Sequence, residues 1–312
     1  MVAMRRIRWR AGTLVPALTI ALLAAAPALA QPAPRSRDAW VALAKGGFAL
    51  PDGQKAADVL VEMNPLLAST DPVLRDEVAY SAAERWILRD KRLSPAELRQ
   101  VLQMWTANLD DGLGGMADDR VFKRSFSALC LSVVAASDLQ APFLEPAEAQ
   151  AFFARMLDYF QRERALRGFD AQKGWMHTVA HTADALKFLL RNPKLGPGSD
   201  AKVLAAVRAK IELRDGVFAW GENDRMALAL HAAVRRADAD AAAFEAWVGQ
   251  WVEAHRRLWA NGPQVDPDGF ARVENAKQVL RSLHVALSMD AKPTPTGDAA
   301  RKAALAGLAK MR

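Results

Sequence analysis

The sequence predicts an all-α protein. Apolar residues recur at intervals of three and four along most of the chain, alternation of period two is nearly absent, and capping signals punctuate the pattern. With 51% of 312 residues apolar and nine tryptophans, the composition is that of a folded chain able to bury a large core. Asp71-Pro72 reads as an N-cap followed by the first helical position, opening a helix through Val78, Ala82 and Trp86. Ser94-Pro95-Ala96-Glu97 is a capping box with proline in the first turn and opens a helix to about Ala107. Further helices are predicted near 119–137, 146–165, 174–191, 200–213, 223–236, 240–260 and 268–289. Asn192-Pro193 with Gly196-Pro197-Gly198, and Asn261-Gly262-Pro263, stop two of them. Helices of this length joined by short loops predict stacked antiparallel hairpins, an α/α superhelix-like (solenoid) single domain over 31–290. A compact α/α bundle is the alternative. Residues 291–296 read as a stiff Pro/Thr linker, and Asp298 to Met311 as a weak, loosely packed C-terminal helix.

Residues 1–30 have the form of a cleavable signal peptide. Arg5, Arg6, Arg8 and Arg10 precede an apolar stretch from Leu14 to Ala25, which ends in the small-x-small site Ala28-Leu29-Ala30. That stretch is shorter than the roughly 20 residues a spanning helix needs, and no later segment reaches this length either. A periplasmic or secreted location is therefore expected, with no transmembrane segment in the mature chain. Without the leader the formal charge falls from +7 to +3. So small and mixed a charge gives no reason to expect nucleic acid as a partner. Cys130, the single cysteine, excludes an intramolecular disulfide, and its place on a stripe with Phe122, Phe126, Leu129 and Val133 reads as core.

The segment with chemical content is Gly174-Trp175-Met176-His177-Thr178-Val179-Ala180-His181-Thr182-Ala183-Asp184. At about 100° per residue on a helix, His177, His181 and Asp184 fall within about 60° of arc. Met176, Val179, Ala183, Leu186 and Leu190 form a separate apolar stripe. Histidines at i and i+4 can converge on one divalent metal, with Asp184 as third ligand or as acceptor of the His181 Nδ1–H. The same trio could do metal-free acid–base work, or simply position one helix on another. No H-E-x-x-H motif, serine-nucleophile elbow, phosphate loop or dinucleotide fingerprint is present, so no cofactor is indicated beyond that metal.

Glu222 lies just before a helix whose N-cap is expected at Asn223 or Asp224, and it could add a carboxylate to a site. The acidic loop from Asp110 to Asp119 lacks calcium-loop spacing and reads as a turn leading into an N-cap. His255 shares a stripe with Val248, Trp251 and Trp259 and reads as packed, His231 flanks an apolar face, and His284 shares a basic, solvated stripe with Lys277 and Arg281.

The core from Gly174 to Asp184 resembles the G-W-x-H-x-x-A-H-x-A-D pattern of the bacterial family called domain of unknown function 2785. Leu74–Tyr80, Val121–Leu129, Glu222–Arg225 and Asn275–Leu283 are similar to further segments of that family, in the same order. The resemblance implies an all-helical domain and supplies neither an activity nor catalytic residues.

Arg75, Arg124, His177, His181, Asp184, Glu222, Arg225, Asn275 and Arg281 come one group per helical layer, and are expected to line a concave surface as a polar ladder. Trp175, Arg124, Arg225, Asn275 and Arg281 are the ligand-binding candidates. His177, His181, Asp184 and Glu222 are the catalytic ones, with His177, His181 and Asp184 also the metal candidates. The leading functional expectation is a binding or scaffold protein that holds a peptide, protein or small ligand in that groove. A metal-assisted or acid–base hydrolase of the cell envelope is the alternative. A third reading makes His181 and Asp184 a purely structural hydrogen bond.

Overall fold

A computed structural model describes residues 35–115, 118–214, 216–260 and 266–312. The leader expected over residues 1–30 lies outside them. The described chain is all-α apart from one two-stranded hairpin. Its elements are α1 (Arg37–Lys45), α2 (Ala56–Met63), and α3, in which Val73–Tyr80, Ser81–Glu84 and Arg85–Arg89 run on without a break. Then come α4 (Pro95–Asn108), α5 (Val121–Gln140), α6 (Pro146–Arg162), β1 (Phe169–Asp170), β2 (Gly174–Trp175) and α7 (Thr178–Leu190). The chain continues through α8 (Ser199–Leu213), α9 (Glu222–Val234), α10 (Ala241–Leu258), α11 (Pro267–Ser288) and α12 (Pro295–Lys310).

Two capping signals act where the sequence puts them. Ser94 Oγ accepts from Glu97 N–H while Glu97 accepts from Ser94 N–H, closing the reciprocal box at the start of α4. Asp71 accepts from Val73 N–H at 2.9 Å, with Pro72 between them. Asp240 and Asp266 cap α10 and α11 in the same way.

Helices two places apart in the chain are neighbours: α5 packs on α7, α7 on α9 and α9 on α11, while a second row runs α6, α8, α10, α12. Because the first row has partners on several sides, its helices are not simply amphipathic. In α7 every residue from Thr178 to Leu186 is buried, including Thr178, His181, Thr182 and Asp184. The separate polar and apolar stripes expected on this helix are therefore both interior. Cys130 is fully buried in α5, and burial pushes its thiol pKa up, which removes thiolate character.

The C-terminal helix α12 packs on α10 and α11 through its small residues. Ala300, Ala304 and Gly307 are buried, and a Cβ at Gly307 would stand 2.3 Å from Val248 Cγ1. Close helix approach through small residues replaces the bulky apolar stripe that sequence periodicity looks for. No described helix is long and apolar enough to cross a membrane.

Candidate functional site

The segment predicted to open a helix at Gly174 forms the hairpin instead. Phe169 pairs with Trp175 and Asp170 with Gly174, antiparallel. Asp170 Oδ1 closes the turn by accepting from the N–H groups of Gln172 and Lys173, both at 2.9 Å. Gly174 sits at φ +76°, and a Cβ there would press on the Arg75 guanidinium and the Pro72 ring, each at 3.2 Å. Arg75 explains that closeness. Fully buried and lying over the rings of Phe122 and Phe126, it donates to the carbonyls of Ser69 and Lys173, both at 2.9 Å. It thus ties the α2–α3 corner to the hairpin. From the other side Lys173 Nζ reaches Asp119 at 2.7 Å.

His177 is consequently not a helical residue but the cap that precedes α7, in left-handed backbone at φ 47°. A non-glycine residue pays of order 1 kcal/mol or more for that geometry, and such positions cluster at functional sites. The bend turns the two imidazoles toward each other, edge to face, with ring centroids 5.5 Å apart. The stacked i, i+4 arrangement read from the sequence is absent here because only His181 lies on the helix.

Hydrogen bonding fixes both tautomers. Ser125 Oγ, fully buried on α5, lies within hydrogen-bonding distance of the Met176 carbonyl and 2.8 Å from His181 Nδ1. Its one proton goes to the carbonyl, which can only accept, so Ser125 accepts the Nδ1–H and the lone pair of His181 is on Nε2. His177 Nε2 lies 2.7 Å from the Trp220 carbonyl and must donate to it, which leaves its lone pair on Nδ1. Burial pushes the pKa of His181 well below its ordinary value, helped by the cost of placing a second charge beside the His177 ring and by the Arg225 guanidinium. Burial lowers His177 as well, opposed by its bond to Trp220. At neutral pH the pair presents two uncharged rings, each with one basic nitrogen.

Asp184 does not take the His181 Nδ1–H that the sequence offered it. The acceptor of His181 Nδ1–H is Ser125, while Asp184 pairs with Arg225 Nη1 and with Lys187 Nζ, the latter at 2.9 Å. A buried carboxylate that stays charged needs such partners. Among the described residues no group of three or more His, Cys, Asp and Glu is arranged to hold a metal ion. Arg225, half-exposed, joins this polar patch to solvent. Glu222 is the first residue of α9 rather than a residue outside it, with Gly221 in the cap position. Its Oε2 accepts from Trp220 N–H at 2.8 Å, and it fixes the Trp220 loop.

Several other expectations change. Arg124 and Asn275, expected to touch ligand, have no exposed surface. Arg124 grips Glu163 at 2.6 and 3.2 Å and donates to the Asp111 carbonyl at 2.7 Å. Asn275 accepts from Phe218 N–H at 2.8 Å and donates to the Gly216 carbonyl at 3.1 Å, clamping the loop that carries Trp220. With Arg75 and Glu222 also interior, much of the expected ladder is an internal spine joining the layers. Arg281 is exposed and pairs with Glu274 at 2.7 Å. The remaining histidines are tied down too: His231 to Asp290 at 2.9 Å, and His284, half-buried, to the Arg301 carbonyl at 3.2 Å.

The structure brings together Trp175, His177, His181, Asp184 and Arg225, and adds three residues that the sequence did not single out: Ser125, Trp220 and Phe169. Trp175 stacks on the His177 ring at 4.3 Å and 24°. Phe169 lies 4.7 Å from Trp175 and 5.3 Å from Trp220, and all three aromatic rings reach solvent.

The model of the family described as Protein of unknown function (DUF2785) covers residues 109–285, more than half of the chain. That span contains Ser125, the hairpin, both histidines, Asp184 and Arg225, and leaves Arg75 and the Leu74–Tyr80 segment outside. No curated protein and no solved structure matches the chain.

Proposed function

The chain belongs to the DUF2785 family, and on that footing we propose an exported binding protein that holds a small hydroxyl- or NH-bearing ligand at the hairpin face. The observation that carries this reading is the pair of neutral imidazoles. His177 Nδ1 and His181 Nε2 are left as acceptors because their other nitrogens are committed to Trp220 and Ser125. Arg225 supplies donors beside them, and Asp184 holds Arg225 in place. A rigid set of acceptors next to a guanidinium selects a ligand that both donates and accepts. The ligand is met at this face rather than in a long groove, because Arg75, Arg124 and Asn275 are interior. We read the two helix rows as stacked hairpins that hold the face rigid.

The test is a thermal-shift screen of the purified chain against small polar metabolites, run alongside His177→Ala/His181→Ala. A ligand present at 100 times its Kd stabilises by about 2.7 kcal/mol. A compound that raises the melting temperature of the wild type and not of the double variant supports the reading. Hits that shift both proteins equally would overturn it. Export is tested separately: fractionated cells should yield a chain that begins near Gln31.

A second reading, an acid–base hydrolase, is favoured by His181 itself. An uncharged imidazole of fixed tautomer, with its Nε2 lone pair unspent, is the form in which histidine takes a proton from an attacking water. Turnover of any ester, amide or glycoside that disappears in His181→Ala, with the fold intact, would raise it above simple binding. In its metal-assisted form the ion would be held by His177 Nδ1 and His181 Nε2, because Asp184 is paired with two cations.

A further inference from the structure

We infer that the ligand of this face is a sugar ring within an oligosaccharide, stacked on the aromatic surface made by Phe169, Trp175 and Trp220. This rests on the proposed binding role of the imidazoles and names the class of molecule they serve. Phe169 and Trp175 are each 38% exposed and Trp220 is 47% exposed, yet their centroids lie only 4.7, 5.3 and 6.0 Å apart. Three large rings held in contact with one another and with water form a contiguous apolar surface that folding alone does not require.

Their positions are built. Phe169 and Trp175 are the paired residues of the hairpin. Trp220 is fixed through its backbone at both ends: its N–H goes to Glu222 Oε2 at 2.8 Å, and its carbonyl accepts from His177 at 2.7 Å. Gly168 lies directly beneath it, where a Cβ would stand 2.3 Å from Trp220 Cδ1 and 2.6 Å from Glu222 Oε1. Asn275 holds the same loop at Phe218.

The geometry separates the possible ligands. A cage for a quaternary ammonium ion needs aromatic walls spaced to admit the cation, whereas these rings already touch. A flat aromatic ligand needs a slot between rings for the same reason. An extended peptide pairs with a sheet edge, and β1 and β2 offer two residues each. A purely apolar partner makes no use of the bordering polar groups. Those groups are the acceptors His177 Nδ1 and His181 Nε2, and the donor Arg225 with its carboxylate Asp184. His177 stands at the border itself, stacked on Trp175. A hydroxyl donates to a bare imidazole nitrogen and accepts from a guanidinium with the same oxygen. A pyranose carries several hydroxyls around its rim and an apolar C–H face that lies on an aromatic ring, as amphipathic aromatic contacts require.

The experiment is a titration of the full purified chain with maltotetraose, cellotetraose, chitotetraose and xylotetraose, followed by tryptophan fluorescence. At least one is expected to give a saturable change. Trp220→Ala and Trp175→Ala should weaken it by about tenfold or more, Trp220→Phe should restore most of the affinity, and Trp259→Ala, an exposed tryptophan on α10's far end, should leave it unchanged. Melting curves on each variant separate lost stacking from lost folding. The sugar assignment is overturned if none of the four saturates below about 10 mM, or if binding is indifferent to Trp175 and Trp220. Where the thermal-shift screen returns an imidazole-dependent hit of another class, the sugar assignment falls and the binding role of the histidines survives. Where no imidazole-dependent hit of any class appears, both fall.

Discussion

Replacing Arg124 distinguishes an internal strut from a ligand contact. In Arg124→Met the side chain keeps its length and loses its charge. The guanidinium is fully buried against a carboxylate that is itself 3% exposed, at 2.6 Å, and it also serves the Asp111 carbonyl. Removing it leaves the Glu163 carboxylate with only Tyr159 Oη at 3.1 Å and Ala165 N–H at 2.9 Å as donors. Lys210 Nζ is near but donates to the Glu163 backbone carbonyl at 2.7 Å. Breaking one side of a buried ion pair costs about 3–5 kcal/mol, because the remaining charge is stranded. At roughly 2 °C per kcal/mol for a domain of this size, the melting temperature should fall by about 6–10 °C. Arg124→Met/Glu163→Gln should recover a good part of that loss, since the amide oxygen can still accept from Ala165 N–H while its NH2 donates to Tyr159 Oη, with no buried charge. Urea and thermal denaturation measure all three proteins. A loss below about 1 kcal/mol in Arg124→Met, together with a lost ligand response, would return Arg124 to the binding surface and refute the internal-spine reading.

Three further outcomes are expected. His181 is held neutral by burial, so as pH falls through about 6.5 the unfolded chain takes up a proton that the folded chain refuses, and stability drops. Asp76, raised to about 6 by burial, works in the opposite direction over the same range. The measurement is therefore the difference between wild type and His181→Gln from pH 7 to 5, and parallel curves would count against a buried neutral ring. Ser125→Ala should cost about 1–3 kcal/mol and release the tautomer; nitrogen NMR of the imidazoles should show Nδ1–H at His181 in the wild type and a mixture in the variant. Equilibrium dialysis against micromolar zinc should leave the wild type without a stoichiometric ion, since Asp184 is occupied by Lys187 and Arg225; one equivalent retained, and lost in His177→Ala/His181→Ala, would restore the metal reading.

Local chemistry made the helices legible in the sequence. Ser94 with Glu97, and Asp71 with Pro72, act within a single turn, so their signal survives without knowledge of tertiary packing; Pro295, read as part of a linker over 291–296, instead opens α12 at its first turn. The start of α7 shows the limit. Periodicity from Gly174 onward is helical, but the Arg75 guanidinium approaches from 98 positions earlier to bond the Lys173 carbonyl. That long-range bond, with the Gly168 carbonyl taking the N–H groups of Met176 and His177 at 2.9 and 3.2 Å, stabilises a hairpin where propensity alone favours a turn of helix.

The site was half legible for the same reason. A helical wheel places His177, His181 and Asp184 on one face only if all three are helical, and moving His177 one step outside the helix breaks the construction. What replaces it is a division of labour among elements distant in sequence. α5 contributes Ser125, which sets the tautomer of His181; the loop before α9 contributes the Trp220 carbonyl, which sets that of His177. Asp184 then has no imidazole proton left to accept and pairs with Arg225. Each partner is a serine, a backbone carbonyl or an arginine, residue types too common for any motif to mark. The outcome of their pairing is nonetheless specific: both proton-bearing ring nitrogens are consumed internally, and both lone pairs are left for something that donates. His255 shows the other possibility, spending its Nε2 lone pair in accepting from Trp259 Nε1 at 3.1 Å. Spare lone pairs alone do not mark a site, since His231 and His284 also donate to acceptors, Asp290 and the Arg301 carbonyl. What distinguishes the hairpin face is that two such imidazoles meet there beside Arg225 and a cluster of exposed aromatic rings.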